Sequence, residues 1–279
     1  MPGPRRRWNW RAIRAIMRKD LKQVIQNKMI WVPMIAVPGI LEVVLPLVMV
    51  LMPSFVGAEE FTIEDLMPIL EKMPSALRES IRQLSGQQQW VVLSANYLFT
   101  PMFLIVPLMV SSILGADSFA GERERKTLES LLYTPIREEE LFVAKLLTGV
   151  LSALLVSLGS FVVYGLVVNL SGYRVMGRIF FPTAIWWPLV FWLAPAVAVL
   201  GLGATVLISS KAKSFMQAQQ LSGALVLPIV FLMIGQVSGL FFLGVWLVLA
   251  IGLFVWIIGL WLIWVGAKAF SRDELISRV

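Results

Sequence analysis

The stretch Asp117-Ser118-Phe119-Ala120-Gly121-Glu122-Arg123-Glu124-Arg125-Lys126-Thr127-Leu128-Glu129-Ser130-Leu131-Leu132-Tyr133-Thr134-Pro135-Ile136-Arg137-Glu138-Glu139-Glu140 is a polar island between two long apolar runs. Leu128, Leu131 and Leu132 repeat at helical spacing, and Glu122 to Lys126 carry mixed charge just before them. That pattern predicts a short helix with one apolar face. Thr134-Pro135 ends it. Threonine as cap, proline at the first helical position and Glu138 to Glu140 in the first turn favour a new helix, with Arg137 where a capping box wants an acid. A structured, mixed-charge loop between two membrane spans suits docking to a soluble partner. A solvated turn is the plainer reading, and the residue pattern alone divides the two evenly.

The flanks decide the class. The chain has 279 residues, 58% hydrophobic and 15% charged, with a mean hydropathy of +0.81, far more apolar than a soluble domain. It reads as a polytopic, all-α membrane protein. The net charge of +7 comes largely from cations beside the first apolar run, where bilayer headgroups rather than nucleic acid are the expected anion. The absence of cysteine and histidine excludes thiol nucleophiles, histidine bases and the usual zinc sites.

Residues 1–28 hold Arg5, Arg6, Arg7, Arg11, Arg14, Arg18, Lys19, Lys22 and Lys28 against the single acid Asp20, which places the N-terminus in the cytoplasm. Ile13, Ile16, Met17, Leu21, Val24 and Ile25 follow helical spacing, so an amphipathic interfacial helix is expected on the inner membrane face. Six spans follow, at 29–52, 90–116, 146–170, 188–210, 214–234 and 246–267. Residues 53–89 form an external segment with short amphipathic helices over Phe61 to Leu70 and Ala76 to Leu84, and 117–145 form a cytoplasmic loop. The run Ser214 to Ala267 is uncharged and would reach about 81 Å as one helix, so it must hold two spans. Gly235-Gln236-Val237-Ser238-Gly239 is the break. Residues 268–279 return to the cytoplasm, so both termini lie inside. Arg174 and Arg178 fall outside, against the positive-inside rule. Gly149, Ala153 and Ser157 form a small-residue stripe for close helix packing.

Glu42 is the one charge deep in an apolar run, among Pro33, Pro38 and Pro46. An intramembrane acid costs roughly 2.5 to 3.5 kcal/mol on insertion scales, so it faces protein or water or stays protonated. It is either a polar point in a substrate path or a hydrogen-bond partner for a neighbouring helix, with Asn96 the candidate. Gly121 to Thr127 faintly evokes a phosphate-binding loop, but it lacks the second glycine and a preceding strand.

The island also resembles the loop between the second and third spans of ABC-2 type transporter permeases, where a run E-R-E-x-x-T-L-E-x-L-L-x-x-P forms the coupling helix. Here it reads Glu122-Arg123-Glu124, Thr127-Leu128-Glu129, Leu131-Leu132 and Pro135, with Lys126 where many relatives carry glycine. The resemblance implies an exporter permease with an N-terminal elbow helix, pairing with itself or a sister chain. ABC ATPase subunits would dock on Glu122, Arg123, Glu124, Thr127, Leu128, Glu129, Leu131 and Leu132. ATP and magnesium would sit on those subunits; this chain would bind no cofactor and catalyse nothing. It also implies that the first and fifth spans form the seam and substrate path in a cell membrane, which brings Glu42, Asn96, Gln217, Gln219 and Gln220 forward as path candidates. Two rivals stand beside it: a transporter driven by an ion gradient through Glu42, and a non-transporting membrane assembly subunit.

Overall fold

The computed structural model describes residues 8–55, 67–127 and 136–269. Among them no strand forms, and six helices are long and apolar enough to cross a membrane. The elements are α1 (Trp10–Gln26), α2 (Lys28–Pro53), α3 (Met67–Lys72), α4 (Ser75–Arg82), α5 (Gly86–Glu124), α6 (Glu138–Met176), α7 (Trp186–Lys211), α8 (Phe215–Val237) and α9 (Val245–Lys268).

Local sequence explains the boundaries. Asn9 caps α1 by accepting from the Ala12 N–H at 3.2 Å. Asn27, in extended conformation, both ends α1 and caps α2 through the Met29 N–H, giving a sharp elbow between the two. Ser85 and Gln88 form a reciprocal capping box at the start of α5. At the start of α8 the Ser214 hydroxyl accepts from the Gln217 N–H, and Gln217 accepts from the Lys213 N–H. Gly239, at a φ of 68°, turns the chain between α8 and α9. Of the short helix expected over the leucines of the island, Leu128, Leu131 and Leu132 lie outside the described residues, as does the start of the first external helix.

Three spans contain a π-helical turn that precedes a proline. The turn Gly39–Val44 in α2 precedes Pro46, Ser94–Leu98 in α5 precedes Pro101, and Leu189–Leu193 in α7 precedes Pro195. Proline cannot donate to the carbonyl four residues back and its ring crowds that carbonyl, so the ladder slips. The freed acceptors are used. Around the α5 turn, Tyr164 donates to the Ala95 carbonyl at 2.5 Å, Thr100 to that of Asn96 at 2.7 Å, and the Gln236 amide of α8 to that of Tyr97.

Helices α5 and α7 form the centre of the bundle and are its most buried spans. Gly201 lets α7 approach α5 so closely that a Cβ there would meet Ser111 and Leu108. Helix α6 packs on both, with Gly149, Ala153 and Ser157 all buried, and Gly149 set against Leu202 of α7. Helix α2 lies on α5 and α6, α8 on α5 and α7, and α9 chiefly on α7. At the end of the bundle away from α1, Leu70 of α3, Met73 just after it and Ile81 of α4 are buried in the same core cluster as Tyr97, Phe181 and Trp186.

Candidate functional site

The polar island starts as the last turns of α5. Its helix continues through a π-helical turn, Asp117–Gly121, into Glu122–Glu124, and stops where Lys126 adopts a φ of 57°. Glu122 is 1% exposed. One carboxylate oxygen accepts from Lys19 of α1 at 2.5 Å, the other from Lys145 of α6 at 2.5 Å. Lys145 is wholly buried, donates also to the Ser118 carbonyl at 2.9 Å, and lies 5.8 Å from the centre of the Phe119 ring. Lys19 reaches Asp20 at 3.2 Å. Two ammonium groups thus face two carboxylates, the balance that lets charges be buried together. Burial lowers the Lys19 pKa, but its hydrogen bond and charge contact with Glu122 outweigh that, and the net shift is upward.

Two further acids hold the same helix. Asp117 pairs with Arg125 at 2.9 Å and accepts from Gln23 of α1 at 3.2 Å. Glu140, in the first turn of α6, accepts the Asn9 N–H at 2.9 Å and the Arg137 N–H at 3.4 Å. The apolar face of α1 is used here too, since Ile13 and Ile16 are buried with Phe119, Leu141 and Phe142. Part of that face, Ile13, Ile16 and Val24, packs on protein, while Leu21 and Ile25 are exposed, as are Arg11, Arg14, Arg18 and Lys22.

The next two residues reach the other way. The Arg123 guanidinium donates to the Ser209 carbonyl at 2.7 Å, to that of Ser210 at 3.4 Å, and to that of Ala212, the carbonyls at the end of α7. Glu124 accepts the Phe215 N–H at 2.9 Å, an unpaired donor at the start of α8. A cation at a helix C-terminus and an anion at an N-terminus both complement the helix dipole. Glu122-Arg123-Glu124 therefore joins α5 to α1, α6, α7 and α8, three consecutive side chains serving four helices. The sequence profile of the ABC-2 family transporter protein domain matches residues 14–245.

This chain belongs to the ABC-2 transporter family.

Neither a curated protein nor a solved structure matches it. The match runs from α1 to the start of α9 and takes in the whole junction. Within this ABC-2 transporter the residues expected to dock a partner divide into two sets. Glu122 is internal: its carboxylate is spent on two lysines and presents nothing outward, because Lys19 and Lys145 close over it. Arg123 is half-buried, while Glu124, Arg125, Lys126 and Thr127 are exposed; the Thr127 hydroxyl donates to the Glu122 carbonyl at 3.2 Å. Leu128, Glu129, Leu131 and Leu132 lie outside the described residues.

The path candidates are not gathered into one place. Glu42 is 3% exposed in its π-helical turn, and Ser160 of α6 is the polar group beside its carboxyl. The pairing with Asn96 does not form. Asn96 donates to the Val92 carbonyl of its own helix, and its side-chain oxygen is buried without a partner. Gln217 is an exposed capping residue of α8, Gln220 is exposed and Gln219 half-buried. Sequence reading missed Lys145, and Gln236, 1% exposed and bound to the Tyr97 carbonyl. The one sequence signal for Gln236 is Pro101, which frees that carbonyl.

Proposed function

We propose that this ABC-2 transporter is the membrane-spanning half of an ATP-driven exporter, with the α1 end and both termini in the cytoplasm. Separate ATPase subunits dock on the segment following Glu122, and the chain pairs with itself or a sister chain in a cell membrane. The observation that carries the reading is the junction at Glu122-Arg123-Glu124. A force on that segment cannot move the end of α5 without pulling on α1, α6, α7 and α8. Family membership and the concentration of Lys and Arg at the α1 end support the same orientation.

The residues then have distinct tasks. Arg125, Lys126 and the segment 128–135 offer the contact surface. Glu122 transmits, holding α1 and α6 to α5 through its two lysines. Arg123 and Glu124 carry displacement to the α7–α8 connection. ATP and magnesium belong to the partner, which supplies the driving energy. Exposed apolar residues on α2 (Ile35, Ile40, Val48) and α8 (Leu227, Phe231, Ile234) suit a seam between two copies, with Glu42, Gln219 and Gln220 flanking the path.

Affinity purification of the tagged chain from its native membrane, with mass spectrometry and an ATPase assay of the eluate, tests this. A stoichiometric soluble ATPase is expected, lost on reversing Arg125 and Lys126 to glutamate and retained in Glu122→Gln with transport impaired. A chain recovered alone and inert from a detergent that preserves other complexes overturns it. The second reading, a gradient-driven transporter, is favoured by the buried Glu42 carboxyl, which has no cation beside it among the described residues; it predicts transport that survives ATP depletion and stops with an uncoupler.

A further inference from the structure

Arg174 and Arg178 sit at the end of the bundle away from α1. Arg174 lies in the last turn of α6, and Arg178 follows Gly177, whose φ of 65° ends that helix. Both are exposed, and neither forms an ion pair among the described residues. Unpaired cations at a membrane boundary attract phosphate.

Two cavities meet beside them. The first, of about 330 Å³, has Arg178, Ser80 of α4, Tyr97 of α5 and Thr183 as its polar members. Thr183 Oγ1, next to the Tyr97 hydroxyl, is buried without a partner in hydrogen-bond geometry. The second, of about 550 Å³, is a groove along α6 from Phe161 to Tyr173, walled on the far side by Phe181, Pro182 and Trp187. Its one amide, Asn169, is already engaged: it donates to the Gly165 and Phe181 carbonyls and accepts from the Phe180 and Phe181 N–H groups. The groove therefore offers a guest only apolar contact. Ile179 lines both cavities, so a cationic, hydroxyl-bearing pocket and an apolar groove share a wall.

That combination fits an amphiphile with an anionic head. Phe161 and Tyr173 are twelve residues apart, about 18 Å along a helix, close to the roughly 15 Å of one leaflet's hydrocarbon. Leu166 and Leu170 on the groove are 57% and 75% exposed on the lipid-facing side of α6, so the guest enters sideways from the bilayer. The wall is firm, since Phe181 packs edge-to-face against Trp186 with ring centres 4.8 Å apart.

We infer that this pocket and groove bind an anionic phospholipid of the adjoining leaflet. Its phosphate meets Arg178 and the nearby hydroxyls, Arg174 adds charge at the rim, and one acyl chain lies along α6. The two arginines that break the charge rule thereby acquire a ligand.

The test is native mass spectrometry of the purified full chain in mild detergent, titrated with phosphatidylglycerol, phosphatidylcholine of identical chains, and glycerol phosphate. Wild type should prefer phosphatidylglycerol over phosphatidylcholine by about fivefold per arginine, and glycerol phosphate should bind far more weakly. Arg174→Gln with Arg178→Gln should abolish the preference, weakening phosphatidylglycerol by more than phosphatidylcholine, whose choline cation already offsets its phosphate. Val162→Trp, which fills the groove, should weaken both lipids, whereas Leu155→Trp, elsewhere on the exposed surface of α6, should weaken neither. Equal binding of the two lipids by wild type, a preference that survives the double arginine change, or glycerol phosphate binding as tightly as the lipid would each overturn the inference.

Discussion

Replacing Glu122 by glutamine keeps the shape of the side chain and removes its charge. Lys145 then remains fully buried, with the Ser118 carbonyl as its remaining acceptor. Breaking a buried pair from one side costs about 3 to 5 kcal/mol, because the surviving charge is left without compensation. Lys19 adds little to that figure: its side chain is 41% exposed, and a solvent-screened pair contributes at most about 1 kcal/mol. Lys145→Met should be milder, since Glu122 keeps Lys19. The double variant Glu122→Gln/Lys145→Met removes both buried charges and leaves Lys19 free to swing into water, so it should recover most of the loss. A double-mutant cycle, read by denaturant unfolding of the helical signal in mild detergent, should therefore give a coupling energy of about 2 kcal/mol or more. Single changes that add to the double within about 0.5 kcal/mol would refute a closed Glu122–Lys145 pair. The same variants separate fold from function. The double variant, stable but without its link to α6, should still bind its ATPase and transport poorly.

Three other outcomes follow from particular contacts. Glu42→Leu removes a buried carboxyl whose desolvation Ser160 offsets only in part, so unfolding stability should rise by about 1 to 3 kcal/mol while transport falls; a loss of stability would mean that the contact with Ser160 compensates the carboxyl fully. At Gly259 a Cβ would lie 3.0 Å from the Leu200 backbone nitrogen, and backbone cannot yield as a side chain does. Gly259→Val should cost about 1 to 3 kcal/mol and speed hydrogen exchange in α9, and unchanged exchange would contradict the α7–α9 contact. For Lys19 the folded-state pKa lies above the ordinary 10.5, so its stabilising contact is complete below pH 10.5 and is lost as pH rises through the folded value. Protease access to α1 should stay flat from neutral pH to that point and rise beyond it, and Lys19→Met should abolish the step.

Much of the architecture was legible because hydropathy and turn chemistry are local. Six long apolar runs are six helices however they pack. The break at Gly235 to Gly239 acts on residues within a turn of itself, whereas Pro33 and Pro107 lie in helix without the slip that precedes Pro46, so a proline alone does not fix where a helix slips. The family was legible in the spacing of the polar island.

The fate of the charges was not. Glu122 and Glu124 are the same residue two positions apart in one charged run, yet one is buried between two lysines and the other is an exposed cap. The difference arises because Lys19 and Phe215 lie 103 and 91 residues away from them. In the same way Pro101 announces a free carbonyl at Tyr97, but that Gln236 takes it, 139 residues on, depends on how α8 lies against α5. Glu42 shows the converse: sequence marked it as buried, and packing gave it Ser160 as a neighbour in place of Asn96. The sequence by itself determined which segments cross the membrane and where the last two part, since transfer from water and backbone geometry are summed over neighbours in the chain. Only the tertiary structure decided which charges are compensated, since an ion pair depends on distance in space and a carboxylate is stable in a dry interior only where the fold brings a cation to meet it.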